Sequence, residues 1–273
     1  MSDLIKIHVL HCGEVQMDNA MPFKQKTLNP IAYSGLFRSR KNQITMPVSA
    51  YLIEHPKGLV LIDTGWHADV RRDQKQHMGR LNSLVSKAIL PEGHAIHEQL
   101  AAKGIRPKDL DYVVLSHMDI DHTSGLQHVR EAKRILTSEP EWEAVTKGNI
   151  RYLRHLWGGM SIGTFKMTRS DYGPECQSAD LFGDGSIVFV HTPGHSSGLT
   201  STLIQNQDAF VLLAADTGYA KRSWEEMILP GITVSKEHAR KSLQWVRDMS
   251  KLPGCVEVIA NHDPECKPHV IKL

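Results

Sequence analysis

The sequence predicts a mixed α/β fold in which a two-layered sheet core is covered by helices. Short apolar runs rich in β-branched residues recur along the chain, and they are typical of buried strands. Segments with helical periodicity or helix-ending glycines lie between these runs. With 273 residues, of which 41% are hydrophobic and 23% charged, the chain can bury a sizeable core. Because no linker or change of composition divides it, we expect a single domain over residues 1–273.

In the first half, turn residues and apolar runs define the expected elements. His55-Pro56-Lys57-Gly58 is typical of a hairpin turn, because proline and glycine favour the backbone angles of turns. Gly104 is expected to close a helix, because glycine readily adopts the left-handed conformation that ends many helices. The resulting assignment is strands at 5–11, 48–54, 59–63 and 112–117, a helix at 95–103, a loop at 17–47 and an irregular or helical segment at 66–92.

In the second half, Ser235–Lys251 has the strongest helical pattern. Ala239, Leu243 and Val246 repeat at helical spacing, and Ser235 suits the first position as an N-cap. The other expected elements are strands at 133–137, 187–191, 200–205, 209–214 and 256–260, a helix at 140–146 and a long, partly ordered excursion at 148–180.

Composition and charge exclude several classes of function. A formal charge of +2 and the absence of a Lys/Arg block argue against binding to nucleic acid or to an anionic membrane. No apolar run reaches membrane-spanning length, and the N-terminus lacks the long apolar stretch of a secretory signal. Cys12, Cys176, Cys255 and Cys266 show no C-x-x-C spacing, so we expect unpaired thiols and a cytoplasmic protein.

The segment His117-Met118-Asp119-Ile120-Asp121-His122 is the most informative in the chain. It directly follows the apolar run Tyr112–Leu115, which we expect to form a buried strand ending at His117. Imidazole nitrogens and carboxylate oxygens that converge at a strand end are the donors that a divalent metal ion needs. The alternative is a polar loop with surface histidines, in a chain that has 16 of them.

Three later apolar runs also end in polar residues. His195 lies shortly after 187–190, Asp216 follows 210–215 and His262 follows 256–260. An earlier run ends at Asp63-Thr64-Gly65, which could orient metal ligands from behind. A single histidine after a strand is more often structural, but the repetition supplies enough donors for two ions.

The order of these motifs resembles that of the metallo-β-lactamase superfamily. The motifs are H-x-D-x-D-H, a histidine within P-G-H-S-x-G, an aspartate within A-D-T-G and a late histidine. Within that superfamily the chain is most similar to the N-acyl-homoserine-lactone lactonases of quorum quenching. This narrower resemblance depends on Asp216-Thr217-Gly218-Tyr219, which matches their D-x-x-Y, and on His262-Asp263-Pro264-Glu265. The early strands from Met46 to Gly65 are also similar, whereas residues 66–92 and 148–180 carry little of the resemblance.

The resemblance implies an αββα sandwich, with two mixed β-sheets flanked by helices and a dinuclear metal centre, usually of zinc, along one edge. The implied ligands are His117, Asp119 and His195 for one ion, Asp121, His122 and His262 for the other, and Asp216 as the bridge.

One residue departs from the family pattern, which normally has histidine in place of Asp119. With three carboxylates, two divalent ions and a bridging hydroxide, the formal charge of the site is zero rather than plus one. We therefore expect harder ions such as Mn²⁺ or Fe²⁺ to be tolerated better at this site, and its bound water to be less acidic.

The activity that the resemblance implies is the hydrolysis of a lactone ring by a hydroxide that bridges the two ions. Tyr219 would donate a hydrogen bond to the carbonyl oxygen under attack, and Asp121 would pass a proton to the leaving alkoxide. Packing of an ordinary aromatic ring is the alternative role for Tyr219. A glyoxalase-II-like thioesterase would use the same centre. Di-iron oxidoreductases of the superfamily have a carboxylate in place of Asp119 but need a flavin domain, so they rank third.

We expect a small lactone or ester as substrate, and no nucleic-acid or membrane partner. A homodimer is compatible with the sequence, which does not set the oligomeric state. The apolar residues of 17–47 and of 153–167, including Trp157 and Met160, are candidates for an acyl-chain channel, although loop packing or a subunit contact explains them equally well. The remaining histidines that we assign to surface or structural roles are His67, His77, His94, His97, His155 and His238.

Overall fold

Two β-sheets face each other in the computed structural model, which describes residues 4–148 and 151–273. The strands are β1 (Lys6–Asp18), β2 (Gln43–His55), β3 (Gly58–Ile62), β4 (Ser86–Ile89), β5 (Tyr112–Val114), β6 (Ile135–Ser138), β7 (Gly163–Phe165), β8 (Thr168–Arg169), β9 (Gln177–Asp180), β10 (Ile187–His191), β11 (Thr200–Asn206), β12 (Ala209–Ala215), β13 (Cys255–Ala260) and β14 (Val270–Lys272). The α-helices are α1 (Val70–Met78), α2 (Arg80–Val85), α3 (Ile96–Ala102), α4 (Ile120–Thr123), α5 (Glu139–Thr146), α6 (Lys221–Glu225) and α7 (Lys236–Met249).

Both sheets are mixed. The first has the order β14-β1-β2-β3-β5-β6-β7, with β4 paired to β1, and it is parallel from β3 onward. The second has the order β13-β12-β11-β10-β9-β8, and only its β12–β13 pair is parallel. The parallel strands of each sheet therefore bring their carboxyl ends to a common edge.

Alternation of side chains along the strands builds three apolar layers. Ile62 and Val114 point into the layer between the sheets, where they pack with Val211 and Leu213 of the second sheet. Their neighbours in sequence point outward, because successive side chains of a strand face opposite sides. Outward side chains of the first sheet pack against α3 and α5, and those of the second sheet pack against α6 and α7. This gives the expected αββα sandwich.

The largest departure from the sequence-based assignment is β1, which continues to Asp18 instead of ending near residue 11. Its register shifts between His11 and Glu14, and Gly13 sits in the shift with a φ of +98°. A side chain at Gly13 would meet the carbonyl oxygen of Ile89 at 2.6 Å. The bulge breaks the alternation of polar and apolar residues, so the sequence pattern hides the second half of the strand.

Other elements agree with the prediction or differ locally. The hairpin turn at 56–57, the helix closed after Ala102 and the long helix α7 are present, with the Ser235 hydroxyl accepting a hydrogen bond from the His238 amide. The strand expected to reach His117 ends at Val114. The excursion at 148–180 contains short strands of both sheets, and its residues 149–150 lie outside the described residues. The elements β4, α4, α6 and β14 were not predicted.

The four cysteines are free, as expected. Within the described ranges, no helix combines the length and the apolarity that crossing a membrane requires.

Candidate metal centre

The predicted ligands come together where strands of both sheets end. The 117–122 segment leaves the end of β5 and enters the short helix α4. His195 lies in the turn after β10, Asp216 follows β12 directly, and His262 is the second residue after β13. Loops after strands with a common carboxyl edge converge, which is why residues distant in sequence meet here.

These side chains form two adjacent clusters. In the first, ligand atoms of His117, His195 and Asp216 all lie within 4.8 Å of one another, and the same holds for Asp121, His122 and His262 in the second. The Asp216 carboxylate lies between the clusters. Its Oδ2 is 3.6 Å from Nε2 of His195 and 3.9 Å from Nε2 of His117, and its Oδ1 is 3.3–3.4 Å from Nε2 of His262 and His122.

The donor atoms suit divalent ions. Nε2 of His117, His122 and His262 and Oδ1 of Asp216 are buried, and none has a hydrogen-bond partner among the described residues. Such atoms are costly to bury unless something binds them. The Nδ1 atoms are held: that of His122 lies 2.8 Å from Asp63 Oδ2 and that of His262 lies 2.8 Å from the Pro47 carbonyl. Metal-binding histidines usually bond in this way through their second nitrogen, so the residues fit a dinuclear centre.

Asp63 orients the second cluster from behind. Its fully buried carboxylate accepts hydrogen bonds from the Ser116 amide and hydroxyl and from the side chain of Asn261, besides bonding with His122. Burial alone would raise the pKa of Asp63, but the neighbouring His122, His117 and Ser116 amide hold it below its usual value. These hydrogen bonds fit the role expected for Asp63 from the sequence, which is to orient metal ligands from behind.

Asp119 lies beside the first cluster, and an arginine binds its carboxylate. Arg151 donates from Nε to Oδ1 at 2.5 Å and from Nη2 to Oδ2 at 2.6 Å. The same guanidinium donates to the carbonyl oxygen and to Nε2 of His195, each at 2.7 Å. Asp119 Oδ2 still lies 3.0 Å from Nε2 of His195 and 3.5 Å from Nε2 of His117.

This pairing changes the electrostatics of the first cluster. Burial opposes a charge on Asp119, but Arg151 and the two histidines hold the pKa of its carboxyl well below the usual range. The guanidinium adds one positive charge that the sequence-based count omitted, which returns the formal sum to plus one. An Asp–Arg pair therefore carries the same net charge as the neutral histidine usual in the family. The role of Arg151 could not be predicted from the sequence, because the residue belongs to no periodic pattern or motif.

A second carboxylate that the sequence analysis missed holds the ligand-bearing loops together. Glu141, on the first turn of α5, is fully buried and accepts four hydrogen bonds. Its donors are the Met118 amide at 3.0 Å, the Tyr152 hydroxyl at 3.2 Å, the Ser196 hydroxyl at 2.7 Å and the Gly198 amide at 2.9 Å.

The close approach of α5 explains the glycine at position 198. A Cβ there would lie 2.0 Å from the backbone nitrogen of Glu141. Glu141 thus links the loop carrying His117 and Asp119 to the loop carrying His195.

A cavity of about 630 Å³ opens onto both clusters. Its polar wall includes Asp119, Asp121, Arg151, His195 and Tyr219, and its apolar wall includes Val15, Met17, Met21, Tyr33, Trp66, Met78, Val85, Leu153 and Ile232. A wider hollow of about 1000 Å³ beside α7 contains none of the predicted ligands, so volume alone does not identify the site.

Only some of the residues considered for an acyl-chain channel line this cavity. Residues of the 17–47 stretch line the cavity, as does Leu153. Trp157 does not: it is buried between the first sheet and its helices, and Met160 packs against the same cluster. That part of the prediction was wrong because both side chains serve the core.

Tyr219 lies over both halves of the centre. Its ring stacks on His262 with centroids 4.8 Å apart and meets His195 edge-on at 5.9 Å. Burial first, and then the carboxylates of Asp216, Asp121 and Asp119, raise the pKa of the Tyr219 hydroxyl well above its usual value. The hydroxyl therefore keeps its proton and can donate a hydrogen bond.

Comparisons with known proteins agree with this geometry. The sequence profile of the metallo-beta-lactamase superfamily matches residues 44–254. The N-acyl homoserine lactonase AttM of Azorhizobium caulinodans is 30% identical over 233 residues, which cover 82% of this chain and 84% of that protein.

Solved structures show the same fold. One is an N-acyl homoserine lactone hydrolase with the product N-hexanoyl-L-homoserine bound at its catalytic metal center. It superimposes with a TM-score of 0.78 at 22% identity, over 98% of both chains. AidC, a dizinc quorum-quenching lactonase in complex with a product, has a TM-score of 0.66 at 16% identity, over 97% of this chain and 89% of that one.

Proposed function

This chain belongs to the metallo-β-lactamase superfamily, and from that premise we propose that it is a metal-dependent hydrolase that opens lactone rings, with N-acyl-homoserine lactones as its substrate class. The observation that carries the proposal is that two adjacent clusters of metal-binding side chains, four of whose donor atoms are buried without a hydrogen-bond partner among the described residues, border a cavity with an apolar wall. The reacting ring of such a substrate is polar and its acyl tail is apolar, so the substrate needs both the polar clusters and the apolar wall. Such an enzyme would act in quorum quenching.

We propose that the two clusters bind two divalent ions, with Asp216 as the bridge. The donor set is rich in imidazole, which favours zinc at both positions. Asp119 adds a hard oxygen donor beside the first cluster, so Mn²⁺ and Fe²⁺ are the alternative ions there. The proposed ligands are His117, Asp119 and His195 for the first ion and Asp121, His122 and His262 for the second.

Bound ions of this kind acidify water and polarise a carbonyl group at neutral pH. The chain supplies the remaining functions. Tyr219, whose hydroxyl stays protonated, donates a hydrogen bond to the oxygen on which negative charge develops. Asp121 lines the cavity, with its side chain 17% exposed, and it is placed to deliver a proton to the alkoxide that leaves as the ring opens.

The apolar wall would bind the acyl tail. Met17, Met21 and Met78 are unbranched and adaptable, and the cavity of about 630 Å³ is within the usual range for a small-molecule site. We infer a preference for lactones with a medium or long acyl chain over the bare ring, because burial of each methylene contributes about 0.8 kcal/mol.

We also propose that residues 1–273 form one domain in a cytoplasmic protein with no nucleic-acid or membrane partner. The apolar layer shared by both sheets supports the single domain, and four unpaired cysteines favour a reducing compartment. A homodimer remains a proposal that a measurement of mass in solution tests.

Assays on a panel of lactones, thioesters and phosphodiesters test the function. Zinc-loaded protein should release acid from N-acyl-homoserine lactones with a higher kcat/KM than from any thioester, and Asp216→Asn should abolish this turnover. Glu237→Gln, an exposed change on α7, serves as the matched control and should leave turnover unchanged. Faster turnover of thioesters would instead identify a thioesterase, and the lactonase proposal would fail.

A further inference from the structure

A second group of histidines lies outside the dinuclear centre. The rings of His77, His67, His128 and His97 form a row, with successive centroids 4.9, 3.9 and 3.9 Å apart. His155 meets the His77 ring edge-on. These residues come from the loop after β3, from α1, from α3 and from the segments that follow α4 and α5, so the fold brings them together from five places. Of these five histidines, all except His128 were expected from the sequence to be surface or structural residues.

We propose that His67, Asp69 and His77 in this row bind one divalent transition-metal ion. One ligand atom from each residue lies within 4.8 Å of the others, and Asp69 Oδ2 is 3.4 Å from Nδ1 of His67. Two imidazoles and a carboxylate are a common donor set for zinc and for its neighbours in the first transition row. Asp69 is exposed, so water can complete the coordination.

The surroundings of both imidazoles favour the protonation state that metal binding needs. Burial lowers the pKa of His67, and burial with the neighbouring His67 and His155 lowers the pKa of His77 to about 4. Both shifts favour the neutral imidazole, which is the form that binds a metal ion.

Local hydrogen bonds hold the rings in place. The Asp69 amide donates to Nδ1 of His67 at 3.1 Å, and Nε2 of His77 bonds with the Ser124 hydroxyl at 2.7 Å. At the far end of the row, Nδ1 of His97 is buried and has no partner within the described part of the chain. A row of imidazoles whose nitrogen atoms are not all satisfied by the described part of the chain fits a site that an ion completes.

The position of the site indicates a structural role. Asp69 precedes the first residue of α1 and His77 lies in its last turn, while the helix is interrupted at Asp73, where φ is −151° and ψ is 92°. The ion would thus join the two ends of a broken helix. Met78 follows directly and lines the active-site cavity, so the ion would fix one wall of that cavity.

Counting bound ions tests the proposal independently of any activity. Zinc-loaded protein, freed of loosely bound metal, should contain three equivalents by elemental mass spectrometry. His77→Gln and Asp69→Asn should each contain two, whereas His94→Ala, an exposed control, should retain three. Asp216→Asn, which removes the bridging carboxylate of the dinuclear centre, should still bind one ion more than the double variant Asp216→Asn/His77→Gln.

Hydrogen exchange locates the third ion. Adding zinc to Asp216→Asn should slow amide exchange in α1, and adding it to the double variant Asp216→Asn/His77→Gln should not. Equal metal content in the wild type and in His77→Gln would overturn the proposal. Failure of the lactonase assay would leave this count unaffected, so the two proposals fail separately.

Discussion

Replacing Asp119 with histidine, the residue usual in the family, should destabilise this chain, because Arg151 depends on the aspartate. The two side chains are only 18% and 16% exposed and share two short charge-assisted hydrogen bonds. Removing one partner of a buried ion pair costs about 3–5 kcal/mol. Arg151 keeps its bond to the His195 carbonyl and some contact with water, so we expect Asp119→His to lower the free energy of unfolding by about 2–4 kcal/mol.

A double-mutant cycle isolates the pair. Arg151→Met leaves Asp119 unpaired and should cost a similar amount, whereas Asp119→His/Arg151→Met removes both charges and should recover most of the loss. The assay is urea unfolding of metal-free protein in chelator, with equal m-values as the check that the unfolded state is unchanged. A coupling energy below about 0.5 kcal/mol would refute the reasoning, because the effects of substitutions at independent sites add to within about that amount.

The same variants report on the first metal ion. Arg151 donates to Nε2 of His195 and to both oxygens of Asp119, which are the atoms proposed to bind that ion. The arginine and the ion therefore compete for them. Arg151→Met should raise zinc occupancy when zinc is limiting, and Asp119→His should lower it while Arg151 remains. Unchanged occupancy in both variants would contradict the competition.

Three further predictions test other parts of the site and the fold. Tyr219→Phe should lower kcat by about 10²-fold, which is the effect of losing one oxyanion donor, and should leave two zinc ions bound to the centre. A loss of metal would indicate a structural role for Tyr219 instead. Glu141→Gln should lower the free energy of unfolding by about 2–4 kcal/mol, because the amide has one oxygen to accept hydrogen bonds and its NH2 group would face the remaining donors. The exposed change Glu143→Gln on the same helix should change the free energy of unfolding little. Burial and the charge of Lys267 lower the pKa of His11 to about 4, so between pH 6.5 and pH 4 the unfolded chain binds a proton that the folded chain does not. Unfolding free energy should fall as pH drops through that window, and less steeply in His11→Gln; an equal slope in both would show that His11 keeps an ordinary pKa.

Much of the architecture follows from local sequence. Val113 and Val114 lie in a strand buried on both faces, and such strands are continuous apolar runs that a sequence displays directly. The proposed metal ligands were recognisable for a related reason: each polar residue stands where an apolar run stops. Local pattern and three-dimensional position coincide there.

What the sequence did not reveal depends on contacts between distant segments. Glu141 looks like an ordinary acidic residue in the first turn of a helix, a position that favours negative charge on any surface helix. Its role arises only because α5 packs against the loop at Ser196 and Gly198. Arg151 and the row of histidines are hidden in the same way, since residues 67, 77, 97 and 128 share no spacing that places them together.

The loops that carry the proposed ligands and the apolar wall of the cavity come largely from different segments of the chain, and this has a practical consequence. Asp63 and Glu141 fasten the loops that carry the proposed ligands, while most of the apolar wall comes from β1, from the loop after it and from the 66–85 segment. Replacing Met17, Met21 or Val85 therefore alters the surface offered to a substrate without touching either anchor. A library confined to those positions should retune substrate preference while every member retains its ions, which makes this scaffold suited to directed evolution toward new ring-containing esters.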